Sequence, residues 1–435
     1  MKLLLIAPAG RALRQMKRGL LRFSTLNFAL TLPRLAALCP PDVEVRIVDD
    51  QLEEIPYDAP VDLVGLTAET PHAPRAYEIA ARFRERGIPT LMGGAHATLM
   101  PEEALNHVDA VAVGECEEIF GGIIEDARRS NLCRTYRAPQ KPSLSHLPPP
   151  RLDLLKGGRY LPVAPVEASR GCPFGCTFCM VRYLYGKGVR HRPLGEVVED
   201  IRKAPTKLIF FTDDNVVGDP EYAKQLFAAM IPMKKWWIGQ ASITMAYDRE
   251  LLQLAARSGC KGVFVGIESV SQESLLEAHK PQNQASRYKE IIAAFHKHGI
   301  LVEAGIVTGF DSEDKSIFKR TLEMLSEIGI DLASFKILTP YPGTEFFLQM
   351  ERDGRIITRN WELYDGEHVT YQPARMTPEE LQSGHDWLRR EFYRGSSILK
   401  RVTRIVRHPL LLLLSAVVNT AFHYIEWEDF EKGCA

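Results

Sequence analysis

Cys172-Pro-Phe-Gly-Cys176-Thr-Phe-Cys179 follows the apolar run at 163–168 and the tripeptide Ser169-Arg170-Gly171, and its reading decides the fold. Three cysteines spaced C-x3-C-x2-C cannot close a disulfide set among themselves. They also leave a tetrahedral zinc site one ligand short. They suit a cubane iron–sulfur cluster, in which three irons take thiolates and the fourth keeps an open position. Gly171 and Gly175 allow the loop to curl with backbone N–H groups facing the sulfurs. The alternative is a structural zinc knuckle that borrows a distant fourth ligand, Cys260 or a histidine.

Outward from this loop the chain alternates between two periodicities. Apolar runs at 163–168, 207–212, 236–241, 262–268, 301–308 and 333–338 read as strands; 194–203, 221–230, 249–258, 284–298 and 315–328 read as helices. Six strand–helix units over about 163–345 are too few for a closed eight-fold barrel. Polar residues gather where the apolar runs stop: Thr212-Asp213-Asp214-Asn215, Gln240 and Ser242, Glu268, Thr308, and Thr339-Pro-Tyr341. A carboxylate at the end of an apolar strand seldom lacks a partner. The basic group Lys187, Arg190, His191 and Arg192 reads either as a solvated loop or as an anion site.

Residues 1–135 alternate in the same way, with strands expected at 3–7, 43–48, 61–66, 89–92 and 110–113 and helices at 27–38, 73–86, 101–105 and 117–128. The pattern implies a doubly wound, Rossmann-like parallel sheet with helices on both faces. Ligands in such sheets bind outside the carboxyl ends of the strands. The loops there hold 9–19, Thr67, Gly93-Gly94-Ala-His96 and Gly114-Glu115. His96 is expected at the surface. Prolines at 139, 142 and 148–150 mark 136–162 as a linker. The region 346–435 is mainly helical, with Thr377-Pro-Glu-Glu380 as a helix start. A basic segment at 400–409 precedes an apolar run at 410–418 that is shorter than the ~20 residues of a membrane span. It reads as a terminal helix over the barrel or as a peripheral contact with a membrane surface.

Composition narrows the function classes. The 435 residues are 45% hydrophobic and 25% charged with a formal net charge of -1, so no basic field announces nucleic acid. Eight cysteines in so long a chain do not form a secreted disulfide framework and read as a cytoplasmic protein. The apolar start, Met1 to Pro8, is too short for a signal peptide and reads as a buried strand.

The cysteine spacing, with an aromatic before the last cysteine and a glycine before the second, resembles the signature of the radical S-adenosylmethionine (SAM) superfamily. Residues 1–135 resemble the cobalamin-binding domain fused ahead of many of its members, through Leu66-Thr67 and Gly93-Gly94. The resemblance implies a [4Fe-4S] cluster on Cys172, Cys176 and Cys179 within a partial (β/α)6 barrel, and SAM chelated at the open iron. It implies contacts to SAM from Thr212, Asp213, Asp214, Gln240, Ser242, Glu268 and Thr308. It implies a corrinoid against Thr67, Gly93, Gly94, Gly114 and Glu115. The D-x-H-x-x-G motif is missing, since 9–26 hold neither Asp nor His, which implies cobalamin without a protein histidine ligand. Tyr341 falls in a loop that in this family lies near the reacting centre, as proton carrier or substrate lining; the alternative is a structural turn built on Pro and Gly. The implied reaction is methylation of an unactivated carbon of a hydrophobic small molecule, lined by Trp361, Tyr364, Trp387 and Phe422, with electrons from a flavodoxin or ferredoxin. The alternatives are a radical cyclase, hydroxylase or rearranging enzyme that uses the corrinoid without methyl transfer, and a non-catalytic iron–sulfur protein.

Overall fold

The computed structural model describes residues 1–10, 30–155, 160–403, 416, 419 and 420. The basic-to-apolar segment at 404–415 and Phe422 lie outside the described residues, as does most of the 9–19 loop.

Six strands build the first sheet among the described residues: β1 (Lys2–Ala7), β2 (Glu44–Asp49), β3 (Leu63–Thr67), β4 (Thr90–Gly93), β5 (Ala110–Val113) and β6 (Thr135–Arg137). They run parallel in the order β2-β1-β3-β4-β5-β6. β1 shows why its sequence is a continuous apolar run. Alternate side chains point to opposite faces, and here both faces are covered. Leu4 and Ile6 join one core with helices α2 (Ala73–Arg84), α3 (Ala95–Leu99) and α4 (Pro101–Ala104). Leu3 and Leu5 join another with α1 (Thr31–Leu38) and α5 (Phe120–Arg128). β6 falls at the start of the stretch read as linker; three residues with two side chains exposed carry no apolar signal.

The second sheet is also parallel, in the order β7 (Val163–Val166), β10 (Leu208–Phe211), β11 (Trp236–Ala241), β12 (Cys260–Glu268), β13 (Leu301–Thr308) and β14 (Leu332–Ile337). Its edge strands β7 and β14 do not pair with one another, so the barrel stays open. Between β7 and β10 the chain makes an antiparallel hairpin, β8 (Ser169–Cys172) and β9 (Gly188–His191), with α6 (Val181–Tyr185) inside it. The covering helices are α7 (Leu194–Lys203), α8 (Pro220–Met230), α9 (Arg249–Ser258), α10 (Gln272–Glu277), α11 (Tyr288–Lys297) and α12 (Ser316–Ile328). One core gathers Val197, Phe227, Leu251, Ile291 and Leu325 from these helices against Ile209, Trp237, Val263 and Ala304 of the strands.

After β14, α13 (Glu345–Arg352) begins on a Thr344 cap. α14 (Pro378–Phe392) starts with a capping box between Thr377 and Glu380, two orphan backbone donors satisfied reciprocally. It lies over α12 and β14 through Leu381, Leu388 and Phe392. α15 (Gly395–Val402) follows. Arg401, in the basic segment read either as a terminal helix over the barrel or as a membrane contact, is buried: its guanidinium lies 3.8 Å from the Phe392 ring centroid and bonds Asn419 Oδ1 at 2.8 Å. No helix among the described residues is long and apolar enough to cross a membrane.

Candidate active site

The cysteine loop is held by its neighbours rather than by its own residues. Gly171 takes φ +94°, and a Cβ added there would lie 2.5 Å from the Gly188 carbonyl oxygen, so the close approach of β8 to β9 requires glycine. At the end of β10 three successive side chains reach back to the hairpin. Asp213 accepts from Ala168 N at 3.0 Å and from Ser169 Oγ at 2.6 Å; Asp214 accepts from Gly171 N at 2.8 Å. Asn215 turns its amide N–H toward Cys172 Sγ at 3.8 Å. Burial pushes the Asp213 carboxyl up to about 7 and that of Asp214 upward. On the other side Thr177 links the loop to α10 and α13, donating to Ala278 O and accepting from Phe346 N. Burial pushes the Cys179 thiol up to about 12 and raises that of Cys176, so a bound metal is what would make these sulfurs thiolates.

Glu268 closes β12 at a bulge, with φ +65°, a conformation uncommon for a residue with a side chain. Its carboxylate accepts from the ammonium of Lys280, and both side chains are nearly buried. Lys280 follows α10 within the segment that Thr177 joins to the cysteines, and its positive charge opposes the effect of burial on Cys176. The sequence reading missed Lys280. Thr308, at the end of β13, is 1% exposed and its hydroxyl has no protein partner. Gln240 is exposed at the end of β11, while Ser242 bonds Thr244 Oγ1 at 2.7 Å. Thr212 donates to Val166 O, tying β10 to β7.

The carboxyl ends of the first sheet meet this assembly. Gly94 takes φ +91°, where an added Cβ would lie 2.7 Å from Thr67 Oγ1. Gly114 takes φ +80° and donates to Thr98 Oγ1 at 2.9 Å. The next residue, Glu115, is ion-paired to Arg170 and Arg190 of the cysteine hairpin. Arg190 and Arg192, read as a solvated loop or an anion site, are thus committed inside the protein, Arg192 to Asp200 at 2.7 Å. His96 is corrected from a surface residue to a buried one. It lies 3.0 Å from Tyr77 Oη and 3.5 Å from Glu103, and meets the Trp361 ring edge-on with 5.6 Å between centroids. Glu103 in turn accepts from Trp361 Nε1 at 2.7 Å, a bond between the first domain and the C-terminal region. Tyr341 packs with Met100, Phe347, Trp361 and Tyr364 at the same junction, and burial raises its phenol well above the ordinary range. Trp387 packs against the barrel core instead.

Two family models match the chain: the Radical SAM superfamily over residues 166–325 and the B12 binding domain over 37–124. The chain is a radical SAM enzyme with a B12-binding domain. It is homologous to cobalamin-dependent radical SAM methyltransferases. Bacteriochlorophyllide d C-12(1)-methyltransferase of Chlorobaculum tepidum is 29% identical over 413 residues, 92% of this chain and 89% of that one. Anaerobic magnesium-protoporphyrin IX monomethyl ester cyclase of Cereibacter sphaeroides is 25% identical, over 82% of this chain and 64% of that one. Among solved structures, the cobalamin-dependent S-adenosylmethionine radical enzyme OxsB with aqua-cobalamin bound shares the fold, with a TM-score of 0.69 at 14% identity over 98% of this chain and 72% of that one.

The donor set of this radical SAM domain fits the cluster. Three thiols stand on one loop, and Cys260 is at the far end of β12 from Glu268, its thiol turned to the Gly262 carbonyl. A nine-residue strand separates it from the site by ~25 Å. It therefore cannot complete a zinc knuckle. Thr308 and the Glu268–Lys280 pair offer an unpartnered hydroxyl, a carboxylate and an ammonium at one sheet end, which fits the zwitterionic and hydroxylated parts of SAM. Side chains of Asp213, Asp214 and Asn215 are occupied with the hairpin, and Glu115 with two arginines.

Proposed function

We propose that this enzyme methylates an unactivated carbon of a hydrophobic small molecule, with a tetrapyrrole as the first class to try. The facing of the two sheets' carboxyl ends supports the reading: the loops after β4 and β5 abut the cysteine hairpin and the Tyr341 loop. In that arrangement Cys172, Cys176 and Cys179 would hold a [4Fe-4S] cluster. Glu268, Lys280, Thr308 and Gln240 would hold SAM, and the Thr67, Gly93-Gly94 and Gly114 loops a corrinoid without a protein histidine ligand. Together these groups would supply radical and methyl-transfer chemistry. The chain's own contribution is position and exclusion of water. Asn215 directs an N–H at Cys172, Lys280 sets a cation beside the other two sulfurs, and the apolar wall of Tyr341, Phe347 and Trp361 shields a radical from solvent. Tyr341, protonated at neutral pH, can donate a hydrogen bond to a carbonyl or macrocycle nitrogen. The tetrapyrrole class rests on the two relatives named above, whose names place such macrocycles as their substrates. A flavodoxin or ferredoxin in the cytoplasm would supply the electron.

The likeness to a cyclase favours a second reading, oxidative ring closure without methyl transfer. Anaerobically reconstituted enzyme with SAM, reductant, cobalamin and candidate macrocycles separates the two. Equal yields of S-adenosylhomocysteine and 5′-deoxyadenosine support methylation. Deoxyadenosine alone supports the cyclase, and neither product overturns both.

A further inference from the structure

The hairpin that carries Cys172 breaks a local rule. Arg170 on β8 and Arg190 on β9 are directly paired in register. Like charges opposite one another on a hairpin destabilise it unless an anion sits between them. That anion comes from the other domain: Glu115 Oε2 accepts from Arg170 Nη1 at 2.7 Å and Glu115 Oε1 from Arg190 Nη2 at 2.5 Å. Glu117 Oε1 lies 2.5 Å from the same Arg170 nitrogen, and Glu167 Oε1 accepts from Arg170 Nε at 2.6 Å. Arg190 also donates to Pro142 O of the linker at 2.9 Å, and Lys141 stands 3.7 Å from Glu115. The side chains of Arg170 and Glu115 are 11% and 6% exposed, so the pair is screened from salt. Arg34 lies 3.8 Å from Glu167, so four cations gather around three carboxylates here, with Arg170 two residues from Cys172.

We propose that Glu115 and Arg170 are positioning residues that lock the B12-binding domain onto the cysteine hairpin and so fix the distance between the two ligand sites. Glu115 is placed for this by Gly114, whose left-handed backbone turns the chain out of β5 toward the hairpin. The span of 55 residues between the partners crosses the linker, so the clamp is a tertiary device and no local turn could replace it. The inference rests on the proposed function only for what the two sites hold.

The test compares full-length wild type, Glu115→Gln and Glu115→Asp. Removing the Glu115 carboxylate leaves Arg190 with the Pro142 carbonyl while Arg170 keeps Glu117 and Glu167, so domain docking in Glu115→Gln should weaken by roughly 10- to 100-fold, the worth of the charge-assisted bonds lost. In scanning calorimetry without cofactors, the wild type should unfold in one transition and Glu115→Gln in two. After anaerobic reconstitution, Glu115→Gln should keep its iron content and its release of 5′-deoxyadenosine from SAM and dithionite. The spin–spin broadening between reduced cluster and cob(II)alamin should weaken, with Glu115→Asp intermediate. A single calorimetric transition with undiminished spin coupling would overturn the clamp. Loss of iron from Glu115→Gln would also overturn it, by showing that the pair only maintains the loop. A wild type that binds no corrinoid would sink the proposed function instead, while calorimetry still decides on the clamp.

Discussion

Replacing Lys280 by methionine removes the cation from beside Glu268 and from beside two of the three cysteines. Both side chains of this pair are about one-tenth exposed, so the medium around them is closer to protein than to water. At contact distance and an effective dielectric of about 20, the attraction is about 5 kcal/mol, against little more than 1 in water. Desolvation of both groups offsets most of this in the intact pair. The offset disappears when one partner is lost, because Glu268 then stays buried without its counter-ion and in a strained backbone conformation. Lys280→Met should therefore cost about 3–5 kcal/mol, and the double variant with Glu268→Gln should recover much of it. For a unit the size of the barrel that loss lowers the melting midpoint by roughly 10 °C. The assay is a double-mutant cycle by calorimetry on the cluster-free full chain at pH 7, where the coupling should reach about 3 kcal/mol. The same interaction raises the Lys280 ammonium above its ordinary range, so its contribution holds through neutral pH and fades only as pH climbs past that range. A coupling below ~0.5 kcal/mol, the scatter of independent sites, would refute the reasoning.

Alanine at Cys172, Cys176 or Cys179 should abolish both iron binding and deoxyadenosine release, whereas alanine at Cys39, Cys133 or Cys260 should leave the cluster absorbance intact; anaerobic iron analysis and chromatography read both. Glu303, facing Phe264 across β12 and β13, has its carboxyl pushed up to about 7 by burial alone. Between pH 4.5 and 7 the folded chain holds a proton that the unfolded chain has released, so stability falls as pH rises. Glu303→Gln should gain at most about 3 kcal/mol at pH 8 over wild type and nothing at pH 4, read from melting midpoints. A residual slope is expected, since burial also pushes Asp213 and Glu313 up to about 7.

How much of this was legible in the sequence depended on whether a signal was local. The six barrel strands announce themselves because a parallel strand covered on its outer face reads as an apolar run, as Phe210-Phe211 and Val263 to Ile267 do. The cysteine triplet is legible because its spacing is the chemistry. The hairpin β8–β9 is not, since Ser169-Arg-Gly-Cys172 and Gly188-Val-Arg-His191 have no apolar alternation and pair only through register. Lys280 hides between His279 and Pro281 with nothing to mark it except a charge just past a helix end. His96 misled for the opposite reason: its burial depends on Trp361, and no pattern around residue 96 can report a partner so far along the chain.

The polar motif after β10 shows where resemblance and geometry part. Thr212-Asp213-Asp214-Asn215 resembles a segment whose backbone and side chains meet the SAM amino group. Here the side chains of its last three residues bond residues 168, 169, 171 and 172 in turn, leaving only the backbone to a ligand. Asp214→Ala therefore tests a division of labour. It removes the acceptor of Gly171 N, a nearly buried donor that would be left unsatisfied at a cost of about 1–3 kcal/mol. That donor belongs to the glycine whose left-handed turn precedes Cys172. The variant should bind less iron on reconstitution, while the SAM affinity of the fraction that retains a cluster stays near that of the wild type. If Asp214→Ala loads a full cluster and loses SAM instead, the carboxylate belongs to the ligand and the bracing role assigned to it is wrong.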